Sequence, residues 1–155
     1  MATVRVTIEG LDGARMALNN LALAIEKPDD KLLTRLGDAM LEDTDIRFMS
    51  RGYGSWPPLK PATIKRKGHA NVLIDSGAMM ASTEISKHGN EVILTVPHGG
   101  KNRSTAVPGY HQTGTRTMPQ RKVVDVTPQL MVRLGEAMAK WVSDLIAAFG
   151  KDMGE

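Results

Sequence analysis

Between Gly52 and Pro61 the chain reads GYGSWPPLKP, and this run limits everything around it. Gly52, Gly54, Pro57, Pro58 and Pro61 forbid a continuous helix here, so regular elements must lie on either side. Trp56 stands directly before Pro57, which biases its backbone toward extension. A large aromatic beside two rigid prolines is a packing anchor. Lys60, Lys65, Arg66 and Lys67 then form a basic run around Thr63. The segment closes with Leu73-Ile74-Asp75-Ser76-Gly77-Ala78-Met79-Met80, an apolar pair followed by a turn and an apolar, helix-like start. The expectation is a long loop over about 50–72 and then a short helix begun near Asp75 or Ser76. A loop of that length in a small domain is either functional or disordered, and Trp56 argues against disorder.

Upstream, Thr3 to Glu9 alternates, with Val4, Val6 and Ile8 on one side, and reads as a half-buried strand. Gly10 to Gly13 offers a turn with Asp12 as a helix cap. Leu11, Ala14, Leu18, Leu21 and Ile25 then recur at three and four residues, one face of an amphipathic helix expected to lie on a sheet. Pro28-Asp29-Asp30 restarts the chain with a capping Asp. Leu33, Leu36, Met40, Thr44 and Phe48 continue a second helix, with Asp38, Glu42 and Asp45 as an acidic stripe on another face.

Downstream, Thr83 to Lys87 and Glu91 to Pro97 flank the turn His88-Gly89-Asn90, a hairpin with Val92, Leu94 and Val96 on one face. The segment 98–109, HGGKNRSTAVPG, is polar and basic and reads as a loop. Tyr110 to Gln120 is compact and turn-rich, and Arg121 to Val126 reads as a strand. Thr127-Pro128 opens a helix with Pro at its first position. Leu130, Leu134, Met138, Trp141, Leu145 and Phe149 give that helix the clearest periodicity in the chain, with Gly150 as its stop. The fold class expected is α+β: one domain over 1–155, a small mainly antiparallel sheet packed with two N-terminal helices and a long C-terminal helix.

Chemistry is more easily excluded than found. The chain has no Cys, hence no disulfide framework, thiolate metal site or thiol nucleophile. His69, His88, His98 and His111 show no metal-ligand spacing. Gly100-Lys101 fails as a phosphate loop because Thr95 and Asn102 stand where Gly and Ser or Thr are needed. No Gly-x-Ser-x-Gly elbow is present. No signal segment and no apolar run of membrane length are seen, so the expected setting at synthesis is the cytoplasm. Charge is unevenly placed. Residues 1–46 hold five basic and nine acidic side chains, a net of −4, whereas residues 47–122 hold twelve basic and three acidic, a net of +9. Lys60, Lys65, Arg66, Lys67, Lys101 and Arg103 are a basic surface suited to DNA phosphates or to an acidic neighbouring subunit. With two Tyr, two Phe and two Trp, the chain lacks a stacking surface for bases.

Taken in order, the Trp-Pro-x-Leu element at Trp56 to Leu59, Thr63, the Lys-rich run and Leu73-x-x-Ser76-Gly77-x-Met79 resemble the phage virion morphogenesis family. That family contains the tail completion proteins of Mu-like and P2-like phages. Tyr110-His111-Gln112-Thr113-Gly114 is similar to its Tyr…His-Gln-x-Gly signature, and Met118-Pro119-Gln120-Arg121 to its Pro-x-Arg element. The resemblance implies a non-enzymatic structural virion protein without cofactor or metal. It would form a ring, hexameric in expectation, at the head-proximal end of a tail, and would make the head–tail (neck) junction. Implied partners are further copies of the chain, tail tube and sheath or head-connector proteins, and packaged DNA, with no membrane. In this reading Trp56, Pro57 and Leu59 anchor the central loop, and Leu73, Gly77 and Met79 seat its far end. Tyr110, His111, Gln112, Gly114, Pro119 and Arg121 fix the entry to the last strand. Two other readings fit the residues: an assembly factor absent from the finished particle, and a small basic DNA-binding protein.

Overall fold

The computed structural model of the chain describes residues 11–97 and 106–152. The expected strand over 3–9 lies outside them. The architecture is α+β, with six helices and one two-stranded antiparallel sheet among the described residues. In chain order these are α1 (Leu11–Glu26), α2 (Asp30–Met49), α3 (Pro61–Lys67), α4 (Ala78–Ala81), β1 (Glu84–His88), β2 (Glu91–Thr95), α5 (Ala106–Thr113) and α6 (Pro128–Asp152). No helix among the described residues is long and apolar enough to cross a membrane.

α2 is the hub, packing on α6 and on the hairpin. Asp29 caps it through its Oδ1, which accepts from the Leu32 N–H at 2.9 Å. The same oxygen accepts from the Trp141 indole N–H at 2.9 Å, so one carboxylate fixes where α2 begins and where it meets α6. Further along the pair, Arg35 is bonded to Asp144, and Arg133 to Glu42 at 2.8 Å. These are exposed pairs, worth about 0–1 kcal/mol each, and they set register more than stability. The hairpin pairs Glu84 with Thr95 through to His88 with Glu91, around a turn at Gly89 and Asn90 as the sequence predicts. Val92, Leu94 and Val96 are its partly buried face. Gly37 lets the hairpin close on α2, since a Cβ there would come within 2.9 Å of Ile85 Cγ2. Lys87 ties the hairpin to the start of α2 through Asp30 and the Thr34 hydroxyl.

The main apolar cluster sits beyond the C-terminal end of α2 and is built largely from irregular chain. Phe48, Trp56, Val72, Met79 and Val123 are buried together, with Leu59, Leu73, Ile74, Met80 and Val96 packed on them. The rings of Phe48 and Trp56 meet edge to face, 5.9 Å between centroids. Four consecutive residues produce this contact. Arg51, Gly52, Tyr53 and Gly54 all have positive φ, from 55 to 81°, a single left-handed turn that doubles the chain back on α2. Gly52 lies flat against the indole, where a Cβ would approach Trp56 Nε1 to 2.4 Å. Tyr53 turns toward the α2–α6 seam, where its hydroxyl donates to buried Asp43 at 2.6 Å, with Arg133 Nε 3.8 Å from that carboxylate. Burial raises the Tyr53 pKa, and the Asp43 carboxylate pushes it the same way.

Several sequence expectations are corrected. The 50–72 stretch is not all loop: Pro61 opens α3 and left-handed Gly68 closes it, so the same residues that break helices elsewhere mark its ends here. The short helix α4 starts at Ala78, after Gly77, rather than near Asp75. The expected loop over 98–109 gives way to α5 from Ala106, because Pro108 falls in the first turn, where no N–H partner is needed. Residues 98–105 lie outside the described part. The expected strand 121–126 has no β-partner; its backbone is irregular, with a bend at Val123 and Val124. Asp12 lies inside α1 and does not cap it, and α6 runs past Gly150. The main contact of α1 is α6, and its expected sheet-facing positions Leu18 and Ile25 are 66% and 53% exposed.

Candidate functional site

The two halves of the motif set meet. Arg121, only 6% exposed, donates from Nε to the Pro57 carbonyl at 2.9 Å and from Nη2 to the Pro58 carbonyl at 3.1 Å. Its own backbone N–H donates to the His111 carbonyl at 2.8 Å. The Trp56 indole N–H donates to the Lys122 carbonyl at 3.1 Å, and Arg47 Nη2 donates to the same oxygen at 2.7 Å. Gln112 acts as a substitute strand. Its Oε1 accepts from the Val123 and Val124 N–H groups at 3.0 and 3.1 Å, while its Nε2 donates to the Val124 carbonyl. Side chains therefore satisfy the backbone of 122–124 that a neighbouring strand would otherwise pair. Left-handed Gly114 ends the α5 segment, with Gln120 so close that a Cβ would meet its backbone N at 3.0 Å.

Above this junction lies a cleft of about 540 Å³ between α3, the 117–121 turn and the start of α5. Its apolar lining includes Leu59, Leu73, Met79, Val107, Met118 and Pro119. Its charged lining is Lys60, Arg66, Lys67 and Arg121 against a single carboxylate, Asp75, with His111 alongside. Leu73 holds a positive φ of 59° at this wall. Lys67 spends its ammonium on the neutral carbonyls of Asn71, at 2.9 Å, and Ile74. Burial lowers the Lys67 pKa; Asp75 opposes that, and Arg66 and Arg121 add to it. Burial, and then the Arg121 charge, lower the His111 pKa, and its buried Nδ1 has no hydrogen-bond partner among the described residues. Burial also lowers the Arg121 pKa.

Of the residues singled out from sequence, Leu59, Leu73, Met79, His111, Pro119 and Arg121 line the cleft, as do Lys60, Arg66 and Lys67. Trp56, Pro57 and Gln112 build the junction beneath it. Gly77 sits at the head of α4 with a φ of 78°, and Tyr110 is 49% exposed and outside the cleft. Lys65 points to solvent from α3 without lining the cleft. Lys101 and Arg103 lie outside the described residues. Sequence reading missed Arg47, whose single cue is a cation in the last turn of α2, and the Tyr53–Asp43–Arg133 contact, which joins residues far apart in the chain. Among the described residues, no group of three or more His, Asp or Glu is placed to hold a metal ion. No protein-family model, curated protein or solved structure matches this chain.

Proposed function

We propose that this chain is a non-enzymatic structural protein of a tailed phage virion that completes the tail at its head-proximal end. In this reading it forms the neck junction as a ring of identical subunits, hexameric by the resemblance. The observation that carries the reading is the meeting of the two motif segments. Trp-Pro-x-Leu and His-Gln-x-Gly with Pro-x-Arg are about fifty residues apart in sequence, yet Arg121, Trp56 and Gln112 bind them into one unit. Residues resembling a family pattern are thus spent on holding one another and on shaping one cleft.

Surface character supports assembly as the task. α1 exposes Met16, Leu18, Leu23 and Ile25, and α6 exposes Met131, Val132, Met138 and Ile146. Apolar groups in such numbers on two helices in contact are expected to be covered by other subunits. The acidic N-terminal third and basic middle of the chain suit a head-to-tail interface, in which unlike surfaces meet and rotation closes the ring.

Native mass spectrometry of the purified protein across concentration, at low and moderate salt, tests this. The expected result is a closed ring, or a monomer that becomes a ring on addition of tail tubes. A strict monomer that ignores tail components and binds DNA with a steep salt dependence would replace this reading with the DNA-binding one.

A further inference from the structure

The cleft carries unbalanced charge. Four cations line it against one carboxylate, and none of the four forms an ion pair among the described residues. Arg121 is nearly fully buried, and its hydrogen bonds all go to neutral carbonyls. A buried cation without a counter-charge is costly, because the low-dielectric surroundings offer no opposite charge in return for lost hydration. Mutual repulsion adds to that cost, since Arg66 and Arg121 both act against the charge on Lys67. An anion entering the cleft removes the imbalance.

The shape of the lining decides which anion. Phosphates of duplex DNA are met by exposed cations on open surfaces, as Lys65 would meet them. Here Lys60 and Arg66, exposed like Lys65, instead border a recess that has Leu59, Leu73, Met79 and Met118 in its walls, with Lys67 and Arg121 deeper in the lining. A recess with apolar walls and a cationic rim suits a ligand that has both an apolar side chain and carboxylates. Met side chains at such a surface adapt to several apolar shapes. We propose that this cleft docks a short acidic peptide segment of a partner protein, with an apolar side chain seated between Leu73 and Met118 and carboxylates on Lys60 and Arg66. The inference rests on the cleft itself and stands whether or not the tail reading does.

The test is fluorescence polarisation with the full chain and a short fluorescein-labelled peptide of glutamate and glycine around one central leucine, at moderate salt. Expected is saturable binding that weakens about tenfold when the leucine becomes serine and disappears when the glutamates become lysine. Arg66→Glu and Met118→Asp should each weaken it about tenfold. Lys65→Glu, the same charge change on the same helix but outside the cleft, should leave it within about twofold. Circular dichroism identifies any variant that fails to fold, and Lys60→Glu, at an exposed position, then replaces it. Absence of binding overturns the proposal. So does an equal loss in Lys65→Glu, equal affinity for the serine peptide, or preferential displacement by inorganic phosphate or a duplex oligonucleotide.

Discussion

Arg51 and Tyr53 adopt left-handed backbone angles that cost an L-residue about 1–2 kcal/mol each. The turn persists because its products outweigh that cost: Trp56 is placed on Phe48, and the Tyr53 hydroxyl on buried Asp43. Gly52 and Gly54 share the same backbone region but stand in different surroundings, which makes them a matched pair. Gly54 has nothing within 4 Å of an added Cβ, so Gly54→Ala should cost about 1 kcal/mol, for backbone strain alone. Gly52→Ala adds a collision with the indole and should cost roughly 3 kcal/mol or more, since the ring must leave its site. Urea unfolding of both variants checks this, and equal losses would mean that the indole contact contributes nothing. The glycines were legible in the sequence as helix breakers. The positive φ of Arg51, Tyr53 and Leu73 was not, because it follows from where the chain must go: Tyr53 reaches Asp43, Leu73 packs on the apolar cluster, and Arg51 is carried along in the turn that places Trp56.

At the scale of elements, legibility followed the source of hydrogen bonds. α2, α6 and the hairpin satisfy their own backbones, so periodicity and caps were enough to find them. The run Arg121 to Val126 has strand-like composition, but composition does not supply a partner. Gln112 and the Lys122 carbonyl contacts take up its polar groups instead, and no sequence rule identifies an amide that will stand in for a strand. Gln112→Leu should therefore strand the part-buried Val123 N–H, at a cost of roughly 1–3 kcal/mol, while the exposed Val124 N–H turns to water. Gln112→Glu keeps the acceptor and loses only the donor to the Val124 carbonyl, a cost of about 1 kcal/mol or less. Thermal unfolding of the two variants, with hydrogen exchange at Val123 and Val124, separates a bridging role from simple packing. Faster exchange in the Leu variant is expected, and unchanged exchange would contradict the bridge.

Across the whole molecule, charge was legible as totals along the chain but not as a place. The excess of cations in the middle third was countable; its focus at one cleft depends on α3, the 117–121 turn and α5 coming together. That focus has a consequence for stability against pH. Burial and the Arg121 charge depress the folded-state pKa of His111 below its ordinary 6.5, so the unfolded chain takes up the proton first. The resulting stabilisation is fully present above about pH 6.5 and is lost as pH falls from there through the depressed pKa. Asp30 and Asp144 are lowered from 3.8, chiefly by hydrogen bonds from Lys87 and Arg35, so their contributions persist until a more acid range. The alkaline side offers no such clean reading. Raised Tyr53 loses stability as pH climbs past 10, while lowered Lys67 gains it on approach to 10.5, and the two oppose one another. Among the described residues, His111 is the histidine with a shifted pKa to set against this acid window. The melting temperature should fall as pH drops below about 6.5 in the parent protein, and His111→Asn should flatten that step while leaving the decline below about pH 4 in place. A step of undiminished size in His111→Asn would assign the proton uptake to another group. Burial is the larger cause of the depression and the Arg121 cation adds to it, so an acidic peptide seated in the cleft should partly neutralise that field, raise the folded-state pKa of His111 toward 6.5 and make the step smaller.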